Sequence, residues 1–441
     1  MSLGRRIAVS RGGSGIDPGA PVTCRRRGLL AGLASLLLVV VPPAQALSGR
    51  VLSGATLDPV PQAIVTAGGR AVTTDADGRF TLPDIEDSCV PVTLGARAPG
   101  FNRVERSFGR DDSVIVLDPF DARALYLSFY GIGSKTLRGN ALDLMGRTPL
   151  NALVVDVKGD LGKIPYPSEV ALANEIGART TTTVKDMRGL VQDLKGKGVY
   201  LIARIVVFKD DVLAKARPEL AVRTSDGGVF RDREKLQWVD ASRKAVWDYN
   251  IAIAEEAARL GFDEIQFDYV RFPDRRGVVF GVPNTEANRV AAISGFLAAA
   301  RERLVPYNVF LSADLFGYVA WNQNDTDIGQ TLASVAPSVD YLSLMLYPSG
   351  FQFGIPGYRN PVQAPYETVH LTLKRAGQRT GLPPTRFRPW LQAFKDYAFD
   401  RRHFTDEEIR AQIRASEKFG STGWMLWNPR NAYTDAGLLP E

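Results

Sequence analysis

Gly261-Phe262-Asp263-Glu264-Ile265-Gln266-Phe267-Asp268-Tyr269-Val270-Arg271-Phe272-Pro273 is the stretch on which the fold turns. It opens with the glycine that ends an Ala/Glu-rich helical run, Ile251 to Leu260, and continues with alternating aromatic and β-branched residues, a helix, turn and strand pattern. Successive side chains of a strand point to opposite faces, so Glu264, Gln266 and Asp268 share one face and Ile265, Phe267 and Tyr269 the other. A polar face on a strand flanked by helices has a natural place in a closed parallel barrel. There the apolar face packs on the helix ring and the other points into the barrel mouth. Asp268 then stands near the carboxyl end of its strand, where barrel enzymes carry their chemistry. The plain alternative is a scaffold role, capping the following loop or pairing with Arg271.

Working outward, strands alternate with helical runs from Arg123 onward. Eight strands are expected: Leu125 to Tyr130, Ala152 to Lys158, Tyr200 to Phe208, Glu264 to Phe272, Val309 to Phe316, Tyr341 to Tyr347, Phe387 to Phe394 and Gly423 to Trp427. With helices between them they close a (β/α)8 barrel, an α/β fold. If Asp268 faces inward, the other strands also offer polar groups near their carboxyl ends. These are Ser128 and Tyr130, Asp156 and Lys158, Arg204, Ser312 and Asp314, Ser343 and Tyr347, and Arg388 and Gln392. A barrel filled only for stability favours branched apolar side chains, so polar residues gathered at one end argue for a site. Two long loops, Lys209 to Asp240 and Pro348 to Pro361, are placed to shape a cleft. The aromatics Phe351, Phe353 and Tyr358, with Tyr130, Trp321, Trp390 and Trp427, are candidates for stacking on sugar rings, and each one alone equally suits a core.

Ahead of the barrel, residues 47–118 form short alternating runs broken by Gly, Pro and Asp, a small all-β sandwich pattern. Asp75, Asp77 and Gly78 read as a turn, because a calcium loop needs more oxygen ligands than this spacing supplies. Residues 1–46 read as an export signal: Arg25-Arg26-Arg27, an apolar run to Val41, then Ala44-Gln45-Ala46 as a small-x-small cleavage site. The arginine pair before Gly28-Leu29-Leu30 is twin-arginine-like, which implies export to the periplasm or beyond. Of the formal charge of +6, +5 lies in that leader (six Arg against Asp17), leaving +1 for the remainder. Nucleic acid is therefore not an expected partner. The apolar run is too short to span a bilayer, so no integral membrane segment is expected after cleavage. Cys89 is alone once Cys24 leaves with the leader, and His370 and His403 are the only imidazoles. Neither a disulfide nor a histidine-based zinc site is expected, and no metal or other cofactor is assigned.

The quoted stretch resembles the marker of a bacterial family of glycosyl hydrolase barrels long catalogued as a domain of unknown function. Asn151-Ala152-Leu153-Val154-Val155-Asp156-Val157-Lys158, Trp238-Val239-Asp240, Ser312-Ala313-Asp314-Leu315-Phe316-Gly317 and Met345-Leu346-Tyr347-Pro348 match it too, over roughly residues 123–438. The segment Thr73 to Phe80, with Ala98-Pro99-Gly100-Phe101, resembles the carboxypeptidase-regulatory-like β-sandwich of secreted proteins. These resemblances imply three parts: a signal over 1–46, the sandwich over 47–118 and a glycoside hydrolase barrel over 119–441. Glycoside hydrolysis usually needs two carboxyl groups across the scissile bond. Related barrels place the nucleophile at the end of the fourth strand, which makes Asp268 the choice. Asp314 on the next strand is preferred as acid, with Asp156 competing and the loop acids Asp396 and Glu367 kept open. Lys158, Arg204 and Arg271 are placed to hold a carboxylate ionised, and Tyr130, Gln266, Tyr347, Gln392 and Trp427 complete the expected substrate contacts. The leading expectation is an exported glycoside hydrolase acting on a bacterial polysaccharide or envelope glycan. The alternative is a non-catalytic carbohydrate-binding or envelope-scaffold protein. A polysaccharide deacetylase is disfavoured by the missing histidine set.

Overall fold

The structure is a computed structural model that describes residues 45–85, 92–108 and 114–439. The leader, apart from its last two residues, and both cysteines lie outside the described residues.

Among the described residues, seven strands build the sandwich. In one sheet β1 (Gln45–Ser53) lies between β4 (Arg79–Ile85) and β7 (Val114–Leu117). In the other the order is β3 (Arg70–Thr73), β2 (Ile64–Ala67), β5 (Val92–Arg97), β6 (Val104–Phe108). Alternation puts Val51, Phe80, Leu82, Ile115 and Leu117 of the first sheet against Val65, Leu94 and Ala96 of the second, all buried. The strands β3 and β6 have no clear mark in the sequence. They are sheet edges with mostly exposed side chains, so no hydrophobic alternation announces them. The Asp75 turn is a backbone-bonded one: its Oδ1 accepts from Asp77 N and Arg79 N, at 2.9 and 2.8 Å.

The barrel closes from eight parallel strands: β8 (Ala122–Leu127), β9 (Ala152–Lys158), β10 (Tyr200–Val206), β12 (Glu264–Asp268), β14 (Phe310–Phe316), β15 (Tyr341–Met345), β16 (Trp390–Gln392) and β17 (Gly423–Trp427), which returns to β8. Two short strands, β11 (Arg223–Thr224) and β13 (Val278–Val279), pair antiparallel and tie the loop after β10 to the loop after β12. Closure is tight at Gly423: with φ at +83°, any Cβ there would lie 1.9 Å from Ala122 O. Outside the barrel, helices such as Lys244–Leu260 and Glu286–Leu304 pack on the apolar strand faces. The first ends, as the sequence indicates, in a left-handed Gly261.

Inside the barrel the residues are mixed. Ala122, Ala124, Val154, Ile202, Phe310 and Met425 fill it as an apolar core, while Glu264, Gln266, Asp268, Ser312, Asp314 and Arg388 are buried polar groups from the same lumen-facing registers. The amino end is a closed floor. Arg388 pairs with Glu264, both wholly buried, and its guanidinium lies 3.7 Å from the Tyr341 ring centroid. Tyr200 donates to Glu264 Oε2 at 3.0 Å. The sandwich docks on this end. Gly100 N donates to Tyr341 Oη at 3.3 Å, Arg103 pairs with Asp263 at 3.1 Å, and Arg97 lies 3.7 Å from Asp340. Asp263 and Asp340 immediately precede β12 and β15, and each also accepts a backbone N–H from a neighbouring strand, Leu201 and Leu311 respectively. The carboxyl end is left open.

Candidate active site

At that open end a cleft of about 250 Å³ is lined by the charged side chains of Asp160, Arg204, Asp268 and Arg271 and by the aromatic ones of Tyr318, Tyr347, Trp390 and Trp427, among others. Asp268 closes β12, and the lumen-facing parity read from the sequence holds for it. Its Oδ2 accepts from Arg204 Nη2 and Nε at 2.6 and 2.9 Å, and its Oδ1 accepts from the N–H of Tyr269 at 2.6 Å. Tyr269 follows in a left-handed conformation, φ +47°, which a tyrosine rarely adopts. The ring is held between two cations, with Lys209 Nζ 4.9 Å and the Arg271 guanidinium 5.2 Å from its centroid. Backbone strain is thus stored at the residue that sends the chain away from Asp268.

Arg204 is buried and shared among three carboxylates. Besides Asp268 it reaches Asp156 Oδ1 at 2.7 Å and Asp160 Oδ1 at 3.0 Å. Its guanidinium also lies 4.9 Å from the Trp427 ring and 5.4 Å from Tyr126, two rings stacked at 3.9 Å. Burial disfavours its charge, but Asp268 and Asp156 more than compensate, so the guanidinium holds its proton more firmly than usual. Asp156 does not line the cleft. Its Oδ2 accepts from Tyr126 Oη at 2.8 Å and from Phe129 N at 3.0 Å, and burial pushes its carboxyl up to about 6 against the pull of Arg204.

Asp314, on β14, is buried at the cleft wall, and its Oδ1 accepts from Trp390 Nε1 at 2.8 Å. Burial first, and then the negative charge of Asp268, raise its pKa well above the carboxylate range. Asp314 therefore holds its proton more firmly than an ordinary carboxyl group and faces the same cleft as the salt-bridged Asp268. Burial likewise keeps the Tyr347 phenol protonated, with Asp314 adding to the effect.

The structure brings Asp268, Asp314, Arg204, Arg271, Tyr347 and Trp427 together around this cleft, and sends other expected site residues elsewhere. Lys158 points out of the barrel. A bulge in β9 pairs Arg204 with Asp156 but Ile205 with Lys158, so Val157 is an extra residue and the parity flips between the two charges. Its ammonium binds Asp210 at 2.6 Å and faces Tyr249 of the helix ring. Tyr130 is on a short helix, Phe129–Gly133, capped by Ser128, rather than on β8, and stands 60% exposed outside the cleft lining. Gln266 lies beneath the cleft, against Ser343 and Met425. Gln392 is buried and supports the loop after β15, its Oε1 accepting from Ser349 N and its Nε2 donating to Ser349 Oγ. Asp396 shapes the loop after β16 by accepting from Ser349 Oγ and three backbone N–H groups, and Glu367 opens a ring helix. Trp321 is bonded to Thr372 away from the cleft.

Asp160, Tyr126 and Tyr318 escaped the sequence reading. Tyr126 had a usable signal, since it shares the parity of Ser128 one strand step earlier. Asp160 and Tyr318 sit on turns past their strand ends, where alternation no longer applies.

No match is found among curated proteins. Among solved structures, a hypothetical protein from Ruminiclostridium thermocellum ATCC 27405 is 41% identical, with 43% of this chain and 96% of that one covered, at a TM-score of 0.39. The PgaB (BpsB) glycoside hydrolase domain from Bordetella bronchiseptica has a similar fold, at 15% identity and a TM-score of 0.52, with 71% of this chain and 95% of that one covered. A family model described as "Putative glycosyl hydrolase domain" matches residues 124–433, the whole barrel with its mouth and floor, and the chain belongs to that family.

Proposed function

We propose that the barrel hydrolyses glycosidic bonds with Asp314 as general acid and Asp268 as nucleophile. The observation that carries this reading is the pairing of unlike carboxyls in one cleft. Asp268 is bound to a buried guanidinium, and the pKa of Asp314 on the neighbouring strand is raised by burial and by the charge of Asp268. In the first step the Asp314 proton passes to the glycosidic oxygen while an Asp268 oxygen bonds to the anomeric carbon and the leaving sugar departs as an alcohol. A water then gives its proton to the Asp314 carboxylate, attacks that carbon and frees Asp268. Asp156 and Asp160 fix Arg204, so they act as positioning residues. Arg271 and Lys209 hold Tyr269 and with it the exit of the chain from β12.

The leader-like residues 1–46 favour a substrate met outside the cytoplasm, a bacterial polysaccharide or envelope glycan. Among the described residues no helix is long and apolar enough to cross a membrane. The test is release of reducing ends from a panel of exopolysaccharides and wall glycans by the native chain beside its Asp268→Asn form. Cleavage lost by at least ~10³-fold in the variant supports the reading, and equal activity in both refutes the role of Asp268. Glycan binding without cleavage by either would favour the scaffold alternative.

A further inference from the structure

The loop after β15 carries an exposed aromatic that is nevertheless fixed. Phe353 is 93% exposed, yet its N–H donates to Tyr318 Oη at 2.9 Å, and that hydroxyl donates to Gly354 O at 3.1 Å. Gly354 itself is at φ +75°, and a Cβ there would meet Tyr358 O at 2.6 Å, so the bend that projects Phe353 into solvent is specific to glycine. Tyr318 is also the centre of a group of rings: its centroid lies 5.0 Å from Phe351, 5.9 Å from Phe316 and 6.2 Å from Phe353. Phe351, Tyr318 and Phe316 line the cleft that holds Asp268 and Asp314. The apolar surface therefore runs unbroken from the cleft, across Tyr318, to a ring in open water.

A contiguous apolar strip of this kind marks a binding surface, and its continuity with the cleft identifies the molecule that covers it as the one the cleft takes. A pyranose ring suits it chemically. One face of the sugar presents C–H groups to an aromatic plane while its hydroxyls, at the rim, stay hydrated. Phe353 is one ring-to-ring step beyond Tyr318 and lies outside the cleft lining, so a ligand reaches it only by extending past the cleft, as a chain of sugars does. We propose that Phe316, Tyr318 and Phe353 form an outer subsite that holds one arm of a polymeric glycan, which makes a polysaccharide rather than a short sugar the substrate of the cleft. This rests on the glycosidase reading of the cleft for its functional meaning, but the binding it predicts is measurable without turnover.

The experiment is native electrophoresis of the full chain through gels cast with three soluble polymers: a neutral β-glucan, glycol chitin and alginate. The native protein is compared with Phe353→Ala, Phe316→Ala and Tyr318→Phe. Retardation by at least one polymer is expected, weakened roughly 3- to 10-fold by each Phe→Ala change, the size of one aromatic stacking contact. Tyr318→Phe keeps the ring and frees the loop, and a smaller loss is expected. Retardation that the phenylalanine variants leave unchanged, or none in any of the three polymers, overturns the subsite. The two readings fail separately. Hydrolysis indifferent to Phe353 sinks the subsite and leaves the glycosidase, whereas Phe353-dependent retardation with no hydrolysis of any glycan sinks the glycosidase and leaves the subsite.

Discussion

Strand β12 carries a carboxylate at each end, and each meets an arginine inside the same barrel. Glu264 pairs with Arg388 at the floor and Asp268 with Arg204 at the mouth. At the floor both partners are wholly buried, Tyr200 and Tyr341 pack around them, and the sandwich covers the opening. At the mouth the arginine is divided among three carboxylates, one of them, Asp160, 41% exposed, and the pair looks onto a cleft that is also lined by Asp314, whose pKa is raised. The same kind of ion pair is thus closed off at one end and, in the function proposed above, set for chemistry at the other. What distinguishes them is access and a second carboxyl of unlike state, not the pairing itself.

The contrast breaks most directly at Asp268. Asp268→Asn is expected to lower glycan hydrolysis by at least ~10³-fold while the urea midpoint moves little, because Arg204 keeps Asp156 and Asp160. If hydrolysis survives, the mouth is no different in kind from the floor. Asp314→Asn is expected to cost ~10²- to 10³-fold in kcat. In the native protein the raised Asp314 pKa carries the protonated acid to higher pH than an ordinary carboxyl would, and activity falls on the alkaline side of that range as the proton is lost. That alkaline limb disappears in the variant, as a pH–rate profile would show. At the floor the signs reverse. Glu264→Gln strands a buried Arg388 and is expected to remove ~3–5 kcal/mol of stability by denaturant titration, with kcat per folded molecule unchanged. Replacing both partners together by Leu and Met should recover most of that loss.

The smallest effect sharpens the comparison through pH. Asp156 titrates near 6 in the folded protein, above its ordinary 3.8, so the folded state binds its proton more tightly. Its contribution is full below about pH 4 and is lost as pH rises through about 6. Asp156→Asn should flatten that stretch of the stability curve by ~1–3 kcal/mol.

Much of this was legible from period and composition. Each expected barrel strand overlaps an observed one, because a strand buried on both faces between helices leaves a dense run of Val, Ile, Leu and aromatic residues. The parity rule placed Asp268, Arg204 and Asp314 inside correctly. It failed at Lys158, where one inserted residue reverses the faces without any mark in the sequence, since Val157 fits either side of a strand. It also ran too far at Tyr130, where Ser128 already caps a helix. Gln266 and Gln392 show a different limit: alternation tells inside from outside but not depth, and both are inside yet below or beside the cleft. That Asp314 borders the cleft and Asp156 does not depends on surroundings such as Trp390 and Tyr126, contacts set by the closed barrel and distant in the chain.

The sandwich grips the barrel by the starts of its strands, through Asp263, Asp340 and Tyr341. A chain entering at Gln45 therefore arrives on the side opposite the carboxyl groups. Anything grafted ahead of that residue, whether an affinity tag, a solid support or a second catalytic module, would act as a pedestal. The mouth would point away from the attachment, which makes the amino end the side by which to display or immobilise this protein without obstructing the cleft.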